Sequence, residues 1–216
     1  MGEFSPTMRA LPYADAAHTA RGPVLHQPPE RQGSVVRLQV DVTHHQYVIT
    51  DTDAEEPDDS DHAFGTGNGL LRVNTEGNQA SITTGTPWGS ITVDVDVRGT
   101  PPPPPEAGEW EEIVEVSMHF TGDGPMIGSL ITEDLDVLPG YPADATGTQW
   151  WRFRLHARGR DAAAADPAHV SEEHHIQVWP AARADETRYR LTDRTGTRSR
   201  ALREAPPLPE GSGVYR

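Results

Sequence analysis

Among its 216 residues the chain has no cysteine and no lysine. Without cysteine there is no disulfide, no thiolate metal ligand and no cysteine nucleophile, which suits a reducing, cytoplasmic setting. All 18 basic residues are arginine, a bias that a GC-rich coding sequence produces, and 33 carboxylates outweigh them to leave a net charge of -15. A surface that negative repels nucleic-acid phosphates and attracts basic proteins, so the expected partner is a basic protein and direct nucleic-acid binding is not expected. No apolar run approaches the roughly 20 residues that span a bilayer, and the first residues lack the basic-then-apolar order of a secretion signal. Neither membrane association nor export is expected. Aromatic residues are scarce at 6% and hydrophobic ones stop at 35%, while Gly and Pro supply 20 residues each. That balance favours short strands and many turns over long helices.

What is present is alternation. In Trp151-Arg152-Phe153-Arg154-Leu155-His156-Ala157 bulky apolar side chains alternate with polar ones, and only a half-buried strand puts every second side chain on one face. Trp151, Phe153 and Leu155 are therefore expected in a core and Arg152, Arg154 and His156 outside it. The period recurs in Val36–Val42, in Ile91–Val97 with Thr92, Asp94 and Asp96 outward, and in Val114–Phe120 with Ile113 out of register. A bulge is expected near Glu112. Leu70–Val73 and Gln79–Thr83 read as a hairpin across Thr75-Glu76-Gly77-Asn78, where Gly and Asn supply positive φ. His45–Thr50, Ile127–Ile131, Leu135–Leu138 and His174–Pro180 complete eight or nine short strands, with Asp161–Asp166 read as a loop. The pattern predicts an all-β protein, an antiparallel β-sandwich, with a β-barrel as the alternative.

Three regions follow from composition. Residues 1–33 are aperiodic and hold Pro6, Pro12, Pro23, Pro28 and Pro29, so they read as a flexible arm. Residues 34–182 carry the sandwich, interrupted by a polyproline II connector at Pro101–Pro105. Residues 183–216 read as an Arg-rich tail, disordered or loosely docked, and much of it, like residues 1–33, is expected to be dispensable for folding.

Candidate sites are few. The acidic run Asp51–Asp61 includes Asp53, Glu55, Glu56, Asp58 and Asp59, but Glu56 stands where an EF-hand needs glycine and His62 where it needs glutamate. It reads as a solvated acidic loop that steers a partner. His45, His119 and His156 or His175 could share outer strand faces, yet no metal-ligand spacing specifies them, so neither metal nor cofactor is expected. Gly128-Ser129-Leu130 is not a nucleophile elbow, and Gly65-Thr66-Gly67-Asn68-Gly69 lacks the Gly-Lys-Ser/Thr ending of a phosphate loop. Trp150 falls outward beside Arg152 and Arg154, and Trp and Arg are the types that anchor protein interfaces. Those three, with Asp94, Asp96 and the acidic loop, form the expected binding set; coverage of Trp150 by one of the tails is the other reading.

Leu38–Asp51, where a strand passes through His44-His45-Gln46-Tyr47 into a second strand, resembles the early strands of the ComJ-type inhibitors of the competence DNA-entry nuclease. The Trp151–Trp179 region, an R-x-R-x-H strand followed by a loop and an I-x-V strand, is similar to that family's end. The acidic and proline inserts and both tails depart from the compact family pattern. The resemblance implies a small β-sandwich that inhibits a partner protein, without catalysis of its own. A structural protein docking through its tails and a metal-dependent β-barrel enzyme remain the alternatives.

Overall fold

The computed structural model describes residues 35–52, 54, 67–106, 108–121, 124–129, 135–142, 149–168 and 171–204. Strands β1 (Val36–Thr43), β2 (Gln46–Asp51), β3 (Leu71–Val73), β4 (Gln79–Thr83), β5 (Trp88–Val97) and β6 (Glu112–Phe120) come first. Then follow β7 (Pro125–Gly128), β8 (Leu135–Val137), β9 (Gln149–Arg158), α1 (Arg160–Ala165), β10 (Glu173–Pro180), β11 (Thr187–Leu191) and α2 (Arg194–Glu204). All 11 strands belong to one sheet of order β11-β6-β9-β10-β5-β1-β2-β4-β3, with β7 beside β2 and β8 beside β7. None of the described helices is long and apolar enough to cross a membrane.

All-β is the right class, but the sandwich is corrected: this is a single curled open sheet, a half-barrel. A sandwich needs two separate sheets, whereas here β1 and β2 stay hydrogen-bonded at Thr43↔Gln46 and carry the sheet around the core. The corner is the turn residues His44 and His45, both left-handed with φ 52° and 61°. Two left-handed residues in a two-residue loop match the twist of the strands they join. From that corner β2 pairs with β4 and β7, while β1 runs along β5 from Val36↔Val95 to Thr43↔Trp88. The pairing is not wholly antiparallel either, because β10 lies parallel to β5.

Both wings place their apolar faces on one core. Val40, Val42, Val93, Val95, Val114, Val116, Trp151, Phe153, Leu155, Ile176 and Val178 come from one wing, and Tyr47, Ile49, Leu71, Ala80 and Ile82 from the other. Trp151, Phe153 and Leu155 are each 2% exposed, as alternation requires. The 70–83 hairpin forms, its turn held by Asn74, whose Oδ1 accepts the N–H groups of Gly77, Asn78 and Gln79. The irregularity expected near Glu112 is real but lies in the partner strand. β6 runs in continuous register with β9, and β11 inserts Tyr189 opposite the Val114–Ile113 step.

Described elements continue past the boundary expected at residue 182. β11 lengthens the sheet at β6, and α2 is tied to the body by charge. Arg160, with no exposed surface, donates from Nε and Nη2 to Asp193 at 2.6 and 2.8 Å and from Nη1 to the carbonyls of Gly69 and Thr83. Asp193 also caps α2, its Oδ1 accepting Gly196 N–H at 2.7 Å. Asp161 accepts the N–H groups of Arg194 and Thr195. Burial raises the Asp161 carboxyl, but these bonds and those from the Arg194 guanidinium and Thr195 hydroxyl outweigh it and bring it to about 2. Gly85 fits this junction because any Cβ there would lie 1.9 Å from the Arg160 carbonyl oxygen. The Ala-rich loop expected at Asp161–Asp166 is mostly helix α1, since alanine is the best helix former. The arm expected at residues 1–33, and the tail beyond Glu204, lie outside the described residues.

Candidate functional site

Two of the sheet's edge strands among the described residues, β3 and β11, approach each other without pairing, bridged by Asn68 Nδ2 donating to Glu186 at 2.9 Å. On this seam opens a cleft of ≈ 310 Å³. Its walls include Asn74 to Gly77 from the hairpin turn, Ser117 from β6, Trp150 from β9, and Arg183 to Glu186 from the connector before β11.

Each wall has an identifiable cause. Register pairs His119 with Trp150, and their rings meet edge to face at 4.8 Å. The hairpin turn rests on this pair: His119 N–H donates to Gly77 O at 2.9 Å. A Cβ on Gly77 would come within 3.3 Å of both rings, and its φ of 83° already favours glycine. On the other side the connector is pinned by Arg152, whose Nη1 donates to Ser117 Oγ and to the carbonyls of Ala184 and Asp185. Ala184 N–H in turn donates to Ser117 Oγ at 2.9 Å. So held, the connector lays the exposed Arg183 guanidinium over the Trp150 ring, 5.1 Å from its centroid.

Arg152 and Arg154 do point away from the core, but they are not surface residues. Both are 4% exposed, and Glu115 accepts from Arg152 Nε at 2.8 Å and from Arg154 Nε at 2.9 Å. Arg154 also donates to Pro103 O at 2.7 Å and lies between the Trp179 and Tyr189 rings. The polyproline connector and the segment before β11 therefore roof this outer face, and the two arginines hold that roof. Alternation identifies which face a side chain takes, not whether chain from elsewhere covers that face.

Asp94 and Asp96 are likewise committed. Arg37 donates twice to Asp94, at 2.8 and 2.9 Å, and that hydrogen-bonded charge holds the Asp94 carboxyl below the usual range. Asp96 is 1% exposed and accepts from Arg98 at 2.6 Å. These two do not form an open acidic face. Asp53, Glu55, Glu56, Asp58 and Asp59 fall outside the described residues. Of the expected binding set, Trp150 alone among the described residues stands at the cleft, half-buried.

The histidine trio does not assemble: His45 meets the Gly85 carbonyl, His119 the hairpin turn, while His156 and His175 lie 5.4 Å apart beside Trp110. Burial drives His156 down to about 4. Among the described residues no three His, Asp or Glu side chains converge as a cation site. In the interior, Tyr47 Oη and His174 Nδ1 are 2.9 Å apart and His174 Nε2 and Glu172 Oε1 3.0 Å apart. Glu172 also accepts the N–H groups of Gly85 and Thr86. Burial would raise Glu172, yet the bonds from His174 and Thr86 hold it below its usual value, whereas burial and the Glu172 charge push Tyr47 well up. All three side chains are sealed in the core, so this chain satisfies buried polar groups and ties the Gly85–Thr86 loop to β10.

Sequence reasoning missed Arg183 and Gly77 as cleft residues, because neither carries a local pattern that joins it to Trp150. No protein-family model matches the chain, and no curated protein matches it in sequence. Among solved structures it is similar to ComJ, inhibitor of the DNA degrading activity of NucA, from Bacillus subtilis, at 13% identity and TM-score 0.40. That likeness covers 69% of this chain and 98% of the other. It is also similar to the product of crocagin biosynthetic gene J, at 11% identity and TM-score 0.42, over 69% of this chain and 99% of that one. Both likenesses are remote and lie at the level of the fold.

Proposed function

We propose that this protein is a binding module that engages a basic protein partner through the seam cleft, with Trp150 as anchor, and inhibits it. The observation that carries this reading is a half-open indole at the mouth of a polar cleft, in a body whose arginines are largely committed to its own carboxylates. Arg37, Arg98, Arg152, Arg154, Arg158, Arg160, Arg188, Arg194 and Arg200 each hold a carboxylate. A net charge of -15 favours a partner whose own surface is basic. Enzymes that handle nucleic acid carry such surfaces at their phosphate sites, so a nuclease is the partner class that fits. An acidic protein seated there competes with the substrate's phosphates without catalysis of its own. The direction toward inhibition comes from the resemblance of Leu38–Asp51 and Trp151–Trp179 to the ComJ-type family.

The test is capture on immobilised full-length protein at low salt, followed by association kinetics and a DNA-cleavage assay of the captured protein. The association rate is expected to fall steeply as salt shortens the Debye length to about 10 Å at 0.1 M and below. Trp150→Ala is expected chiefly to raise the dissociation rate, as loss of an interface anchor does. Association insensitive to salt, together with dissociation insensitive to Trp150→Ala, would remove the physical basis of the proposal.

A further inference from the structure

Arg183 differs from Arg152 and Arg188 beside it, each of which holds a carboxylate. Among the described residues it has no carboxylate within ion-pair distance, and its one close partner is the Trp150 ring. A cation over an indole face is a weak, exposed contact. Here it is not a chance pose, because Arg152 and Ser117 fix the backbone of Ala184 and Asp185 immediately after it. The indole is itself fixed, edge to face with His119 and backed by Gly77. Glu76 and Asp185 line the same cleft, as does Glu186, which is already held by Arg188 and Asn68. An aromatic plate with carboxylates at its rim is the arrangement that receives a planar cation, since a guanidinium can stack and hydrogen-bond at once.

We infer that the seam cleft is a recognition site for an arginine side chain of the partner, and that Arg183 is a tethered stand-in that occupies the Trp150 face until the partner's arginine displaces it. The inference rests on the protein-binding reading and names the chemical group recognised. Displacement costs little, because an exposed Arg183 swings from the ring into water and leaves no buried charge behind. The stand-in also keeps a large apolar face covered while the protein is free. Since Arg183 competes for the plate, only the fraction of molecules with an uncovered ring binds, and apparent affinity is reduced by that fraction. For a contact as weak as an exposed cation–π pair, removing the competitor should tighten binding about three- to sixfold.

The probe is a capped Gly-Arg-Gly peptide, titrated into the full-length protein and followed by the indole N–H signal of Trp150 in NMR. Its control is the same peptide with citrulline, which keeps the shape and loses the charge. Arg183→Ala, a change at an exposed side chain that leaves the fold intact, is expected to lower the dissociation constant of the arginine peptide about three- to sixfold. Trp150→Phe should weaken binding and Trp150→Leu abolish it, both followed by titration calorimetry because they lack the indole signal and both judged on variants with wild-type unfolding midpoints, and the citrulline peptide should not bind. Weaker or unchanged arginine binding by Arg183→Ala overturns the stand-in, because it makes Arg183 a ligand or a bystander. Equal binding of citrulline overturns guanidinium recognition. If the arginine peptide fails while partner capture depends on Trp150, the guanidinium assignment falls and the protein-binding reading stands. If the peptide behaves as expected while capture ignores Trp150, the cleft takes a guanidinium that is not the partner's, and the assignment to a partner arginine is overturned.

Discussion

Asp193→Ala tests most sharply how the C-terminal segment is held. Arg160 is fully buried and its Nε and Nη2 groups rest on the Asp193 carboxylate. Without that carboxylate the guanidinium keeps only the carbonyls of Gly69 and Thr83, and it cannot shed its charge, because arginine does not deprotonate in proteins. Stranding one member of a buried ion pair costs about 3–5 kcal/mol. The same substitution removes the N-cap of α2, worth about 1 kcal/mol more. Taken together, about 4–6 kcal/mol should appear as a fall in Tm of roughly 8–24 °C for a chain of this size. Urea unfolding followed by tryptophan fluorescence, with thermal unfolding by circular dichroism, measures it. Arg160→Met combined with Asp193→Asn should recover much of the loss, since an apolar replacement strands no charge and asparagine still caps the helix. Arg37→Ala, at an exposed pair, should leave the midpoint where it is. A loss below about 1 kcal/mol for Asp193→Ala, or a double variant no better than the single, would refute the reasoning. By the same logic a chain ending at residue 182 should not fold, whereas one ending at residue 204 should.

Two further outcomes follow from burial. Leu155→Ala removes a core side chain 2% exposed and should cost about 2–5 kcal/mol in urea unfolding. Thr92→Ala, on the outer side of β5, loses one exposed 3.2 Å bond from Gln39 and should cost far less; equal effects would mean that the strand faces are misassigned. Burial, and then the Asp193 charge, raises the Glu112 carboxyl from 4.5 to about 7. Its folded form holds the proton more tightly than the unfolded chain does, so its stabilising contribution is complete below pH 4.5 and is lost as pH rises to about 7. Glu112→Gln cannot ionise, so relative to wild type it should gain stability between about pH 5 and about pH 8. A pH-independent difference in unfolding free energy would contradict this.

Period-two alternation by itself determined the strands that build the core, the β3–β4 hairpin and the inward face of β9, because the pleat converts residue parity directly into side. It also singled out Trp150 as an outward aromatic. Parity says nothing of what lies above a face, so the burial of Arg152, Arg154 and Asp96 had to wait for the polyproline connector, the segment before β11 and the bound Arg98. β11 and α2 escaped for a related reason. Thr187–Leu191 is an edge strand facing solvent, and α2 is fastened by Asp193, Asp161 and Arg160 instead of an apolar stripe, so neither leaves a hydrophobic period to read. Closure of the sheet into a half-barrel rests on one hydrogen-bonded corner at His44 and His45, and the cleft on its seam joins residues from β3, β6, β9 and the connector before β11. Such a site exists only once edges distant in sequence have been brought together, and that is a property of the tertiary structure alone.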